Sequence, residues 1–215
     1  MEWIDVLVVV DFQNDFLHPD GSLCCPVMVD GKAAITSEEK SKRCANVVQL
    51  INLFASKNYP IVFTRDWHPE NSLIFTEPDP VTGQPWPKHC IQGTWGAEFY
   101  MFEDYKHVML NQNVYVINKG DNEFREEYGA GPKWNPIVEY LHEKHRIVNF
   151  YVTGVATDFC VKANYEDLRF YYGQIERGPW LVVDAIIPAF DDSTDYALYE
   201  ITTQDLIEKL ANESN

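Results

Sequence analysis

Short, nearly continuous apolar runs alternate along the chain with longer segments in which apolar residues recur every three to four positions. The runs Val6–Val10, Ile61–Thr64, Val114–Ile117, Ile147–Val152 and Leu181–Val183 are rich in β-branched residues. Such runs predict strands covered on both faces. Between them, Ser41–Ser56 places Val47, Val48, Ile51, Phe54 and Ala55 on one face of a predicted helix. A second helix is predicted over Asn135–Lys144, with Asn135 as N-cap and Pro136 in the first turn. Two more are predicted over Asp158–Tyr172, carrying Val161, Tyr165, Leu168 and Tyr172, and over Asp195–Ala211, carrying Leu198, Ile201, Leu206 and Leu210. Strand–helix alternation of this kind predicts an α/β fold: a three-layer α/β/α arrangement around a central, mostly parallel sheet.

Two segments break the alternation. Leu17–Glu38 reads as a loop with turns at Pro19-Asp20-Gly21 and Asp30-Gly31. Trp67–Asn113 is long, rich in Pro, Trp and His, and weakly periodic. A segment of that length without regular structure is functional or disordered, and its aromatic content favours order.

The polar residues that follow the strands carry the first chemical signal. Asp11 ends the first run, Arg65-Asp66 the second, Asn118-Lys119 the third, and the fourth leads through a turn to Cys160. Ligand sites of open parallel sheets lie beyond the carboxyl ends of the strands. Asp11, Asp66, Lys119 and Cys160 therefore lie on one edge, although the sequence does not give the strand order. Three of them have an ordinary alternative: a turn former for Asp11, a solvated turn for Lys119, core filling for Cys160. Taken together they make a coherent nucleophilic site. The start of a helix and a nearby ammonium favour a thiolate, and a carboxylate can take the proton and return it to a leaving amine. In the loop, Asp66-Trp67-His68 and Trp86-Pro87-Lys88-His89-Cys90 supply an Asp-x-His pair and a third His, a mixed oxygen and nitrogen donor set for a metal. Cys90 is a competing ligand on spacing alone. His142-Glu143-Lys144-His145 spaces its histidines three apart instead of four, which suits a helix end and not a zinc-protease motif.

Composition narrows the partners. A formal charge of −16 argues against nucleic acid and anionic membranes, which need clustered Lys and Arg. The run before Asp11 is too short for a membrane span, and the acids Glu2 and Asp5 do not suit a signal peptide. Five cysteines, an odd count without regular spacing, suit reduced thiols and a cytoplasmic or other intracellular setting. The many aromatics are consistent with a homo-oligomer without requiring one.

The motifs Val10-Asp11-Phe12-Gln13-Asn14-Asp15-Phe16, Asp66-Trp67-His68-Pro69, Trp86-Pro87-Lys88-His89-Cys90, Asn118-Lys119-Gly120 and Gly154-Val155-Ala156-Thr157-Asp158-Phe159-Cys160-Val161 together resemble the nicotinamidases, within the isochorismatase-like cysteine hydrolases. The first and last are shared across that superfamily, and the two histidine motifs are the specific part. The resemblance implies one isochorismatase-like hydrolase domain over residues 1–215, Rossmann-like in layout, with a metal-site and lid loop at about 67–113. It implies a catalytic trio of Asp11, Lys119 and Cys160. The metal ligands would be Asp66, His68 and His89, holding one divalent ion: zinc, or iron or manganese as in some relatives. Cys90 becomes a bystander. The oxyanion hole falls on the backbone N–H groups of Ala156 and Cys160, beside a cis bond between Val155 and Ala156. Phe16, Trp86 and Tyr128 are implied as walls for a pyridine ring. The implied reaction is hydrolysis of nicotinamide to nicotinic acid and ammonia through a thioester, serving NAD salvage, with pyrazinamide as a further substrate. The alternatives are an isochorismatase, a carbamoyl-amide hydrolase, or a non-catalytic α/β binding module.

Overall fold

In a computed structural model, the first apolar run forms β1 (Trp3–Val10), and its side chains divide between the two faces of a sheet. Leu7 and Val9 enter one buried cluster, Val6, Val8 and Val10 the other. A strand apolar on both faces can only be central. The sheet places it so: β2 (Ile61–Asp66), β3 (Val114–Lys119), β4 (Ile147–Val155), β5 (Pro179–Ile187) and the short β6 (Glu200–Ile201) complete six strands in the order β3-β2-β1-β4-β5-β6. All the pairings are parallel. The structure describes residues 3–145, 147–172 and 178–212.

Helices cover both faces. A single turn, α1 (Asn14–Leu17), follows β1 directly, and α2 (Ser37–Ser56) then packs Val47, Leu50, Ile51 and Phe54 on one face. Thr36 caps α2 through its hydroxyl, which accepts the Glu39 N–H at 3.1 Å. On the opposite face lie α3 (Asn135–His142), with Val138 and Leu141, and α4 (Lys162–Tyr172), with Tyr165 and Leu168. The last helix, α5 (Thr203–Asn212), returns to the α2 face through Leu206 and Leu210. Among the described residues, no helix is long and apolar enough to cross a membrane.

The structure departs from the sequence reading in local ways. Asn135 is already the first helical residue, because a 3₁₀ turn over Gly131–Trp134 runs into α3 and moves the cap to Trp134. Asp195–Ala211 is not one helix. Leu198 is exposed, Glu200–Ile201 pairs with β5, and α5 begins at Thr203, whose N–H and hydroxyl both donate to the Asp184 carboxylate. The helix predicted from Asp158 starts with a wider π-type turn over Thr157–Val161 before α4. The long segment 67–113 is ordered as four short 3₁₀ turns joined by loops.

Candidate active site

Strand order decides which polar residues meet. Because β3, β2, β1 and β4 are neighbours in that order, Lys119, Asp66, Asp11 and Cys160 follow one another along one edge of the sheet. The register pairs Asp66 directly with Lys119, and Val10 with Gly154. The chain leaves β1 toward β2 on one side and β4 toward β5 on the other. Asp11 and Cys160 therefore flank the crevice where the strand order reverses, the usual ligand position in such sheets. Gly154 is needed there: with φ at +109°, its missing side chain would collide with the main chain of Val10.

Lys119 is the hub. It is fully buried, and its ammonium lies 2.7 Å from Asp11 Oδ2, in an ion pair with Asp66 Oδ1, and 3.4 Å from Cys160 Sγ. It also donates to the carbonyl of Glu127 at 3.2 Å. Burial opposes its charge, but the carboxylates of Asp11 and Asp66 outweigh burial and hold it charged well above the usual lysine range. The two carboxylates are driven apart. Burial raises Asp11 to about 6 against the pull of Lys119. Asp66 feels the same burial, yet Lys119 and then His68 overcome it and hold it well below the ordinary range. One carboxylate stays ionised while the other can exchange a proton near neutrality, which is how acid–base roles are divided. Burial, with Asp11, Asp66 and Glu126 adding to it and Lys119 opposing, pushes the Cys160 thiol well up. The resting pair is thus a thiol beside a carboxylate, with carboxylate oxygens of Asp11 and Asp66 within 4.8 Å of Sγ. Thr64 fixes Asp11 by donating its hydroxyl to Oδ1 at 2.7 Å.

The donor set of Asp66, His68 and His89 fits a divalent cation. Each ring is oriented by a backbone carbonyl: His68 Nδ1 lies 2.9 Å from the Gly120 carbonyl and His89 Nδ1 2.7 Å from that of Pro87. Those bonds put the N–H on Nδ1 and leave Nε2 as a lone pair. Both Nε2 atoms then face Asp66 Oδ2, at 3.6 and 3.8 Å, and His68 Nε2 is buried with no hydrogen-bond partner. The electrostatics agree. Burial lowers His68, but Asp66 and Glu126 outweigh it and raise its proton affinity, so the site attracts positive charge. His89, lowered to about 4 by burial and then by His68, is a neutral imidazole at pH 7. Gly120 makes room for this arrangement: its φ is +68°, and a β-carbon there would strike the His68 ring. Cys90 stands apart, its thiol 3.9 Å from the Gly96 carbonyl and its N–H donated to Asp15 at 2.7 Å.

Three residues beyond the sequence-derived set complete the site. Glu126 lies on an aperiodic, acid-rich stretch that gave no signal, yet its Oε1 is 3.9 Å from His68 Nε2. Burial raises it to about 7, with Asp66 adding to the effect. Phe159 packs edge-on to Trp86 and tilted against Tyr128, each at 5.4 Å between centroids. Gln13 holds the Asp66 peptide on both sides, donating to its carbonyl at 2.9 Å and accepting its N–H at 2.8 Å. Its second amide hydrogen goes to the Ala97 carbonyl at 3.0 Å. In Gln13→Glu a carboxylate would face these two carbonyls, so we expect metal affinity, read by chelator competition, to fall at least about tenfold. Unchanged affinity would show that Asp66 needs no such support.

Above these groups lies a pocket. Phe16, Trp86, Tyr128 and Phe159 line it, and Asp66, His89, Ala156 and Cys160 reach it from the sheet edge. The Trp86 indole N–H donates to the Tyr128 hydroxyl at 3.1 Å, fixing the two rings. The Val155–Ala156 bond is cis. A flat aromatic ring fits such walls, with a thiol, a proton-exchanging carboxylate and a cation site at its edge. That combination can carry acyl transfer from a small aromatic amide.

Comparison with known proteins identifies the family. Residues 5–202 match the isochorismatase domain. The nicotinamidase of Saccharomyces cerevisiae is 30% identical over 183 residues, covering 73% of this chain and 77% of that protein. Among solved structures, the Pyrococcus horikoshii pyrazinamidase in complex with zinc is 28% identical, covering 97% of this chain and 94% of that one, with a TM-score of 0.57. The yeast nicotinamidase bound to the inhibitor nicotinaldehyde is 25% identical and covers 98% of this chain and 95% of that one, with a TM-score of 0.62.

Proposed function

The chain belongs to the isochorismatase family, and from that premise we propose that it hydrolyses nicotinamide to nicotinic acid and ammonia, and pyrazinamide likewise. The observation that carries this reading is the meeting of Asp11, Lys119 and Cys160 beside Asp66, His68 and His89, with Cys160, Asp66 and His89 lining one aromatic pocket. An isochorismatase or carbamoyl-amide hydrolase is not favoured, because the relatives reported above are nicotinamidases and a pyrazinamidase.

In this reading Cys160 Sγ attacks the carboxamide carbon while Asp11 takes the thiol proton. Raising Asp11 to about 6 narrows the gap over which that proton must move. Lys119 stays charged and compensates the negative charge passing between Sγ and the Asp11 carboxylate. The backbone N–H groups of Ala156 and Cys160 receive the oxyanion. Asp11 then returns the proton to the amide nitrogen, the C–N bond breaks, and ammonia leaves a thioester on Cys160. Water, deprotonated by Asp11, attacks the thioester; nicotinic acid departs and the thiol is restored. Asp66, His68 and His89 would hold the cation, which we take to be zinc from the donor set of two imidazoles and one carboxylate. When bound, it supplies a positive charge that can hold a ring nitrogen and acidify water.

The direct test is ammonia release from nicotinamide by metal-loaded protein; no release would overturn the substrate. The pH profile is a separate prediction. Because Asp11 must start as carboxylate, kcat/KM should fall as pH drops through about 6, by about tenfold between pH 7 and pH 5. A profile flat to pH 5 would remove Asp11 as the base.

A further inference from the structure

Asp158 has no part in the chemistry above, yet its carboxylate is engaged more fully than any simple turn former. It stands two residues before Cys160, in the π-type turn, and accepts three backbone N–H groups from one distant loop: Ala189 at 2.8 Å, Phe190 at 2.8 Å and Asp191 at 3.0 Å. That loop leaves β5, and the bonds join it to the turn that carries the thiol. The connection continues. The Ala189 carbonyl accepts the Val27 N–H at 2.8 Å, from the 17–38 segment. Ala189, Val27 and Phe159 all line the pocket, and the Phe190 ring packs edge-on to Phe159 at 5.9 Å. At its far end the loop is fixed independently, by the bidentate pair of Arg43 with Asp192 at 2.6 and 2.7 Å.

We propose that Asp158 is a positioning residue for substrate: it locks the 189–191 backbone to the nucleophile turn and so sets the pocket rim formed by Ala189 and Val27. Three charge-assisted bonds from adjacent N–H groups to one carboxylate define a single loop position. Without them the loop keeps its Arg43–Asp192 anchor but loses its register against the Cys160 turn. The effect falls on binding rather than on bond making, because the side chains of Asp11 and Lys119 bond to each other and to Thr64, Asp66, Glu127 and Cys160, away from this loop.

The proposal rests on the amide-hydrolysis reading and is tested with Asp158→Asn, nearly the same size but with an NH₂ group facing backbone donors. Wild type releasing ammonia establishes the reading first, so its failure is seen separately. In the variant, KM for nicotinamide should rise about tenfold or more while kcat stays within about threefold. Amide exchange at 189–191 should accelerate, and the rate of Cys160 alkylation by iodoacetamide should not change. Asp158→Glu, which keeps two charged acceptor oxygens on a side chain one methylene longer, should give an intermediate KM and serves if the asparagine variant folds poorly. A fall in kcat at constant KM, or slowed alkylation, would instead place Asp158 in support of the nucleophile and overturn the proposal. Unchanged KM and unchanged exchange would overturn it too.

Discussion

Cys160→Ala is expected to lower turnover of nicotinamide by at least about ten-thousandfold while leaving the fold intact. No other thiol can substitute. Cys25 also lines the pocket, but its thiol lies 3.5 Å from the Leu23 carbonyl and not in the Lys119 and Asp11 contact that Cys160 makes. Cys90 is buried with its thiol 3.9 Å from the Gly96 carbonyl. Removing Sγ deletes one 3.4 Å contact of Lys119 and no backbone hydrogen bond, so thermal unfolding of the metal-loaded variant should shift by only a few degrees. Stopped ammonia release with retained melting temperature and metal content is the predicted result. Residual turnover within about a hundredfold of wild type would mean that another group attacks the amide.

The second large effect is expected at Lys119, and it couples activity to stability. Lys119→Met keeps the length of the side chain and removes the charge. Asp11 and Asp66 would then face each other in a buried site without the cation that lies between them. Breaking a buried ion pair from one side costs about 3–5 kcal/mol, because the remaining charge stays buried without a partner. The variant should unfold at markedly lower denaturant concentration and lose at least about a thousandfold in kcat. Adding Asp11→Asn should restore much of the stability and none of the activity, since it removes one of the two repelling charges together with the base. If the double variant is no more stable than the single one, repulsion between the carboxylates is not the source of the loss.

The positions of these residues were legible to different degrees. The strand cores and the helices α2, α3 and α4 follow from side-chain periodicity, because a sheet covered on both faces admits only continuous apolar runs and its helices only one apolar stripe. Errors fell where local pattern and tertiary pairing compete. Leu198 and Ile201 have helical spacing with Leu206 and Leu210, yet the edge of β5 captured Glu200–Ile201 as a strand. The motifs likewise placed Asp11, Asp66, Lys119 and Cys160 at strand ends and Asp66, His68 and His89 within ligand-like spacing.

What the sequence by itself determined was therefore the set of elements, the edge of the sheet on which the chemistry lies, and the family to which the motifs point. The tertiary structure alone decided who touches whom. The order β3-β2-β1-β4 puts one lysine between two carboxylates and the thiol; burial drives Asp11 up, while at Asp66 the same burial is outweighed by Lys119 and then His68, which hold it down. It also brought in Glu126, Phe159, Gln13 and Asp158, whose partners lie 30 or more residues away in several of these contacts. The physical reason is that a pKa or a pocket wall depends on distances across strands, and those distances follow from the order of the strands, which no local pattern encodes.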